Sequence, residues 1–216
     1  MYFIIKRILD IVLALISVVV LSPLFLILIV IIKTDSKGPF IFKQKRVGIN
    51  RTYFNIYKFR TMYIDAPGDT PTHLLKDPKK CITKVGKFLR KTSLDEIPQI
   101  FNILFGKMSF VGPRPALWNQ YDLLDERDKY NANSVYPGLT GWAQINGRDE
   151  LSIKIKAKLD GEYVDKIGLV MDLKCIIGTF VRVIKRDGVV EGGTENLINE
   201  CNVDNKPVIV GKSIKL

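Results

Sequence analysis

Residues Ile11 to Ile32 form 22 consecutive positions without a charge, broken in their apolar character only by Ser17, Ser22 and Pro23. A helix of that length is about 33 Å long, enough to cross a bilayer core of about 30 Å. No small-x-small cleavage site follows, since the next residues are Lys33-Thr34-Asp35-Ser36, which argues against a cleaved signal peptide. Two arrangements remain: a kinked spanning helix, and a hairpin that enters and leaves on the cytoplasmic face. Basic residues flank both sides, with Lys6 and Arg7 before the run and Lys33, Lys37, Lys43, Lys45 and Arg46 after it. The positive-inside rule places both ends in the cytoplasm, which one straight crossing cannot satisfy. Pro23 has no N–H for the Val19 carbonyl and bends the helix, and the Ser22 hydroxyl is available for the carbonyl so freed. The residues lean to the hairpin. Asp10 is within reach of Lys6 or Arg7 for an interfacial ion pair.

The 216 residues carry 33 Lys+Arg against 22 Asp+Glu, a net charge of +11, which implies a polyanionic partner. The single histidine, His73, excludes a His-rich metal site. Cys81, Cys175 and Cys201 are odd in number and far apart, which argues against a zinc ribbon or disulfide scaffold and for a reducing compartment.

From Lys33 to Arg60 there are eight basic residues and one acid, interleaved with aromatics. Alternation in Pro39–Gln44 and Tyr53–Phe59 predicts two short strands, with Val47–Arg51 as the turn. Basic and aromatic residues together suit nucleic acid, but directly after a membrane segment anionic lipid head groups suit equally well. Lys58 and Arg60 are close enough to flank one phosphate group; a solvated charged strand face is the plainer alternative.

Residues 63–84 read as a loop, and a helical pattern starts near Val85 and ends by Arg90-Lys91. In Ser93-Leu94-Asp95-Glu96, Ser93 and Glu96 fit a capping box, so the dyad reads first as ordinary helix capping. The same carboxylates suit phosphoryl chemistry: Asp95 as a nucleophile on phosphorus, Glu96 as a hard oxygen ligand for Mg²⁺. Arg90, Arg114 and Arg148 are the candidate cations, Arg114 being fixed between Pro113 and Pro115. The Gly-rich stretch Pro137–Arg148 is neither a Walker A motif nor a GxGxxG loop. Leu173, Ile176, Ile177, Phe180, Val181 and Ile184 follow helical spacing. They predict a core-packing helix with a basic outer side; an interfacial helix on the membrane is the alternative.

Together these segments resemble the bacterial sugar transferases of the polyprenyl-phosphate phosphoglycosyltransferase superfamily, in particular its small monotopic members. The resemblance runs from about Lys6 to Gly188. It is carried by Lys6-Arg7-x-x-Asp10, Ser22-Pro23, Gly38-Pro39-x-x-Phe42-x-Gln44-x-Arg46-x-Gly48 and Lys58–Met62. It continues through Leu89–Gln99, Met108–Pro115 and Pro137–Gly141.

The resemblance implies transfer of a phosphosugar from a UDP-sugar to polyprenyl phosphate with release of UMP. Asp95 is then the nucleophile forming a covalent aspartyl-phosphosugar, and Glu96 serves the dyad and Mg²⁺, with Asp95 as its fellow metal ligand. Lys58, Arg60, Arg90, Arg114 and Arg148 are phosphate contacts, and Asp172 is a supporting acid. Ser22-Pro23 becomes the break of a re-entrant membrane helix anchored by Lys6 and Arg7. The fold implied is α+β, predominantly helical with a short β-hairpin. Residues 1–33 form the anchor, 34–187 a cytoplasmic catalytic domain and 188–216 a tail of open role. The partners implied are the UDP-sugar, polyprenyl phosphate and membrane lipids at the bacterial inner membrane, without nucleic acid; a homodimer is left open. Tyr163-Val164-Asp165-Lys166-Ile167-Gly168 departs from the family's Tyr-Val-x-Asn-x-Ser. The sugar is open, with N-acetylated amino sugars suggested by resemblance alone. The rival function is a non-catalytic, membrane-anchored scaffold for anionic partners.

Overall fold

The computed structural model describes residues 2–66, 78–147 and 151–185. Arg148, His73, Cys201 and the tail 188–216 lie outside them. The apolar run belongs to one helix, α1 (Tyr2–Asp35), that continues past the expected boundary at residue 33. Pro23 lies inside it, so the expected bend falls within one helical element. The Ser22 hydroxyl donates to the Val19 carbonyl at 2.8 Å, supplying the bond that proline removes.

One face of α1 lies on the rest of the protein from end to end. Lys6, Asp10, Ala14, Leu28 and Ile32 are buried, and Val18, Leu21, Leu24 and Phe25 pack between them, a spacing of three or four residues. The other faces expose Ile4, Ile8, Val12, Leu15, Val19, Leu26 and Val30. A helix apolar all round with one face covered leaves an apolar remainder compatible with membrane association.

After α1 the chain forms the expected hairpin, β1 (Ile41–Val47) and β2 (Tyr53–Phe59), joined by a short 3-10 turn at Ile49–Arg51. The strands are antiparallel, Phe42 opposite Lys58, Gln44 opposite Ile56 and Arg46 opposite Phe54. Strand alternation therefore puts Gln44, Arg46 and Lys58 on the same face as Phe54 and Ile56. Next come α2 (Pro78–Cys81) and α3 (Lys84–Thr92), the latter capped by the Thr83 hydroxyl accepting from Gly86 N. A 3-10 turn at Leu94–Glu96 leads to α4 (Gln99–Leu104). β3 (Ser109–Val111) and β4 (Gly138–Thr140) form a two-stranded parallel sheet that periodicity did not predict. α5 (Tyr121–Asp128) lies between them in sequence, and α6 (Trp142–Ile145), α7 (Ile153–Asp165) and α8 (Leu169–Lys185) follow.

Two of the four buried clusters among the described residues are built on α1. Ala14 packs with Phe54, Ile56, Ile100, Ile103 and Met108, while Leu28 and Ile32 pack with Phe59 and Leu89. Ile97 reaches both groups and Leu94 the second, so the turn carrying Asp95 and Glu96 borders the clusters that α1 shares with β2, α3 and α4.

Gly86 is the closest approach between α3 and the exit of β2. A Cβ there would overlap the Thr61 carbonyl oxygen, which also accepts from Thr83 N at 3.0 Å. Gly86→Ala is expected to destabilise by about 1–3 kcal/mol through overpacking. Gly168→Ala, whose nearest neighbour is 3.8 Å away, serves as the control. Comparison of their thermal midpoints with the wild type checks this; equal midpoints would contradict the packing argument.

Helix α8 corrects the expectation of a core-packing stripe. Met171, Asp172 and Cys175 face inward, whereas Leu169, Val170, Leu173, Ile177, Phe180 and Val181 are exposed on the opposite side. The inward face is thus the narrower one and includes a carboxylate; of the expected stripe Ile176 packs with it, the Ile184 side chain lies outside the described residues, and Leu173, Ile177, Phe180 and Val181 are left exposed.

Candidate active site

The dyad does not sit in a capping box. Ser93 adopts the left-handed conformation (φ 57°), closes α3 through its backbone N–H, and makes no side-chain cap. The left-handed residue reverses the chain, so the 3-10 turn presents Asp95 and Glu96 to the hairpin instead of to the α4 backbone.

Two cations converge on Glu96. Lys58 Nζ donates to Oε1 at 2.8 Å, and Arg114 Nη2 donates to the same oxygen at 2.6 Å, with Nη1 3.5 Å from Oε2. Burial raises the affinity of Glu96 for a proton, but Arg114 and Lys58 outweigh it and hold the carboxyl well below its ordinary range. Lys58 itself is pushed down by burial, against the attraction of Glu96.

Asp95 is 8 % exposed, and its carboxyl is pushed up. Burial is the main cause and the Glu96 charge adds to it, opposed by Lys58, Arg90 and Arg114. The environments of the two neighbouring carboxyls thus push them apart: Glu96 is neutralised in place, Asp95 is held where its charge is least solvated. Arg90 is aimed by α3, its Nε donating to the Thr61 hydroxyl at 2.9 Å. Three cations therefore surround two carboxylates, a surplus of positive charge suited to an anionic substrate.

The predicted residues Asp95, Glu96, Lys58, Arg90 and Arg114 are brought together. Arg60 is not among them: it is buried at the C-terminus of α1, where Nη2 donates to the Ser36 carbonyl at 2.5 Å and lies 2.8 Å from the Ser36 hydroxyl. A cation there satisfies orphan carbonyls and complements the helix dipole. Arg60 thus lies apart from the other expected phosphate contacts and ties the end of α1.

Asp172 is likewise an anchor. Its Oδ2 receives Lys6 Nζ at 2.5 Å and Tyr2 Oη at 2.7 Å, and its Oδ1 receives Tyr163 Oη at 2.8 Å. Lys6 thus pairs with Asp172 and not with Asp10, which accepts from Phe110 N at 3.2 Å. Arg7 donates to the carbonyls of Ile103 and Met108 at 2.8 and 2.9 Å, holding the end of α4 to α1.

Arg46 and Arg127 were not singled out as site residues. Arg46 donates from Nη1 to the Pro115 carbonyl, and Arg127 from Nη2 to the Arg114 carbonyl, both at 3.0 Å. The alternation Phe42-x-Gln44-x-Arg46 carries the signal for the first; no local pattern marks the second.

The family model for bacterial sugar transferases matches residues 1–186. The chain belongs to the bacterial sugar transferase family. It is 39 % identical over 186 residues to the uncharacterized sugar transferase EpsL of Bacillus subtilis, covering 86 % of this chain and 90 % of that protein. It is 36 % identical over 196 residues to the exopolysaccharide production protein ExoY of Sinorhizobium fredii, covering 82 % and 84 %. It is 40 % identical over 192 residues to a UDP-glucose:undecaprenyl-phosphate glucose-1-phosphate transferase of Xanthomonas campestris, covering 85 % of this chain but 40 % of that longer relative.

Among the described residues no group of three or more His, Cys, Asp or Glu side chains gathers as a ready metal cage. Asp95 and Glu96 offer hard oxygen donors at one place, and Glu96 Oε1 is already shared by two cations. This donor set fits Mg²⁺, which is usually held by one or two carboxylates together with substrate phosphates and water.

Proposed function

We propose that this sugar transferase moves a phosphosugar from a UDP-sugar to a polyprenyl phosphate through a covalent intermediate on Asp95. The observation that carries the reading is the buried Asp95 beside a Glu96 neutralised by Lys58 and Arg114, on a turn that borders the clusters shared with α1. The names of relatives such as the UDP-glucose:undecaprenyl-phosphate glucose-1-phosphate transferases support the substrate classes.

In the first step an Asp95 carboxylate oxygen attacks the sugar-bearing phosphorus of the donor. The bond from that phosphorus to the bridging oxygen breaks, and UMP leaves with the electron pair. In the second step a phosphate oxygen of the polyprenyl acceptor attacks the same phosphorus and the Asp95–phosphorus bond breaks. The product is a polyprenyl diphosphate sugar and Asp95 is regenerated. Lys58, Arg90 and Arg114 offset the repulsion between the carboxylates and the incoming phosphates. Bound Mg²⁺, held by Asp95 and Glu96 with the diphosphate, would supply further charge neutralisation. Two displacements at one residue give ping-pong kinetics.

We further infer a monotopic arrangement, with α1 re-entering the inner membrane and the catalytic domain on the cytoplasmic side. The helix is about 51 Å long at 1.5 Å per residue and is tied to the same domain near both ends, by Lys6 at Asp172 and by Arg60 at Ser36. A straight crossing would drag one of these polar anchors through the hydrocarbon. The outward apolar stripe of α8, tied to α1 through Asp172, gives the same face a second interfacial element.

Intact-protein mass spectrometry after incubation with Mg²⁺ and a panel of UDP-sugars, glucose and N-acetylated amino sugars included, tests the covalent step. The wild type is expected to gain a phosphosugar mass and Asp95→Asn none. The same gain in Asp95→Asn would move the nucleophile elsewhere. No gain, together with no UMP release when polyprenyl phosphate is added, would favour the scaffold.

A further inference from the structure

Arg114 lies between two prolines, so the segment has no N–H at 113 or 115 with which to be anchored. It is held by its carbonyls. Gly138 N donates to Pro113 O at 2.9 Å, Arg127 Nη2 to Arg114 O at 3.0 Å, Arg46 Nη1 to Pro115 O at 3.0 Å and Val47 N to Ala116 O at 3.0 Å. The proline rings fix φ at 113 and 115, and each carbonyl bond fixes the plane of one peptide unit. The plane that sets ψ of Arg114, the residue whose guanidinium meets Glu96, is the one Arg127 holds.

Arg127 ends α5 with its side chain 4 % exposed, facing Asp160 on α7, whose side chain is 1 % exposed. Arg127 Nε and Nη2 reach Asp160 Oδ2 at 2.8 and 2.6 Å, while Oδ1 has no partner among the described residues. A buried ion pair with an unsatisfied oxygen is a poor source of stability, and an apolar pair of similar volume often does as well. What an apolar pair cannot supply is the donor to the Arg114 carbonyl. A guanidinium fork suits the double task, since it serves the carboxylate and the carbonyl from one rigid plane.

We propose that Arg127, oriented by Asp160, is a positioning residue that fixes the peptide plane of Arg114 and so aims its guanidinium at Glu96 and the substrate phosphate. Its activity arm rests on the phosphosugar-transfer reading; its structural arm does not.

The test uses the full chain in nanodiscs. Arg127→Met/Asp160→Leu removes both charges together and is compared in wild-type and Arg114→Ala backgrounds. Should that pair not fold, Arg127→Met/Asp160→Asn replaces it. UMP release is expected to fall about 10- to 100-fold in the wild-type background, chiefly in kcat, as for a small misplacement of a reacting group. In Arg114→Ala the further loss is expected to be under about 3-fold, because the residue acts through Arg114. Equal fold-losses in the two backgrounds, or none in the wild type, overturn the proposal. Hydrogen–deuterium exchange of the peptide spanning 112–118 is expected to quicken in the paired variant while β1 and β2 stay unchanged; unchanged exchange at 112–118 also overturns it. Quickened exchange in a protein that releases no UMP from any donor keeps the positioning role and rejects the transferase reading.

Discussion

Asp95→Asn is expected to abolish phosphosugar transfer and, at neutral pH, to raise the unfolding temperature of the protein. Loss of a covalent nucleophile lowers turnover by about 10⁴-fold or more. The stability gain follows from linkage. Burial, with the Glu96 charge, raises the Asp95 carboxyl above its unfolded value. Below the unfolded value, about 3.9, both states hold the proton and the carboxyl carries no charge penalty. As pH rises the unfolded chain ionises first, so native stability falls until the folded carboxyl has ionised too. Asparagine, neutral and of the same shape, escapes that penalty. Its advantage is complete above the folded value and vanishes below the unfolded one. Thermal unfolding in EDTA at neutral pH and near pH 3.5 checks the sign, with about 2–4 °C expected per kcal/mol for a chain of this size. A midpoint lower than wild type at neutral pH would contradict the burial argument. Retained UMP release would remove Asp95 from the mechanism.

Lys6→Met is expected to destabilise the protein by about 3–5 kcal/mol, the range for removing one partner of a buried ion pair. It leaves the Asp172 carboxylate buried with only the hydroxyls of Tyr2 and Tyr163. Lys6→Met/Asp172→Leu is expected to recover most of the loss, since it removes both charges. Activity should follow stability, because the Tyr163 hydroxyl that donates to Asp172 also lies 3.0 Å from the Val111 carbonyl, at the start of the segment that leads to Arg114. The same anchor bears on orientation. In a cysteine-free background, Phe3→Cys is expected to react only with reagents applied from the cytoplasmic side. Labelling from the periplasmic side would exclude the re-entrant arrangement, and a double variant no more stable than Lys6→Met would show that the loss does not come from the charge left unpaired on Asp172.

The features legible in the sequence are those set by local periodicity. Alternation marks the hairpin, and helical spacing marks α3 and α8. The converging partners of Asp95 and Glu96 come from order along the chain, since Lys58, Arg90 and Arg114 sit in motifs the family resemblance brings together. What the sequence does not disclose is tertiary. Ser93 has the spacing of a cap but the conformation of a helix terminator, because closing α3 and lifting the dyad toward Lys58 requires the chain to reverse there. Arg60 is two residues from Lys58 but past the end of β2, so strand alternation no longer places it on the Lys58 face, and it turns to the carbonyls of α1. Spacing in α8 identifies a stripe without saying which side of it is protein. The β3–β4 pairing joins segments too far apart, and too short, for any window of periodicity.

Ala14, Leu28 and Ile32 are 0, 4 and 2 % exposed, and what covers them is the interior of the domain itself. The anchor is thus a structural member of the enzyme as well as its tether. Cutting it away would not liberate a soluble catalytic unit; it would open two apolar clusters and unseat the turn that bears Asp95. Folding inherits the same constraint. The domain emerges from the ribosome after the helix, and the two clusters that hold Ala14, Leu28 and Ile32 can close only once that helix is in place.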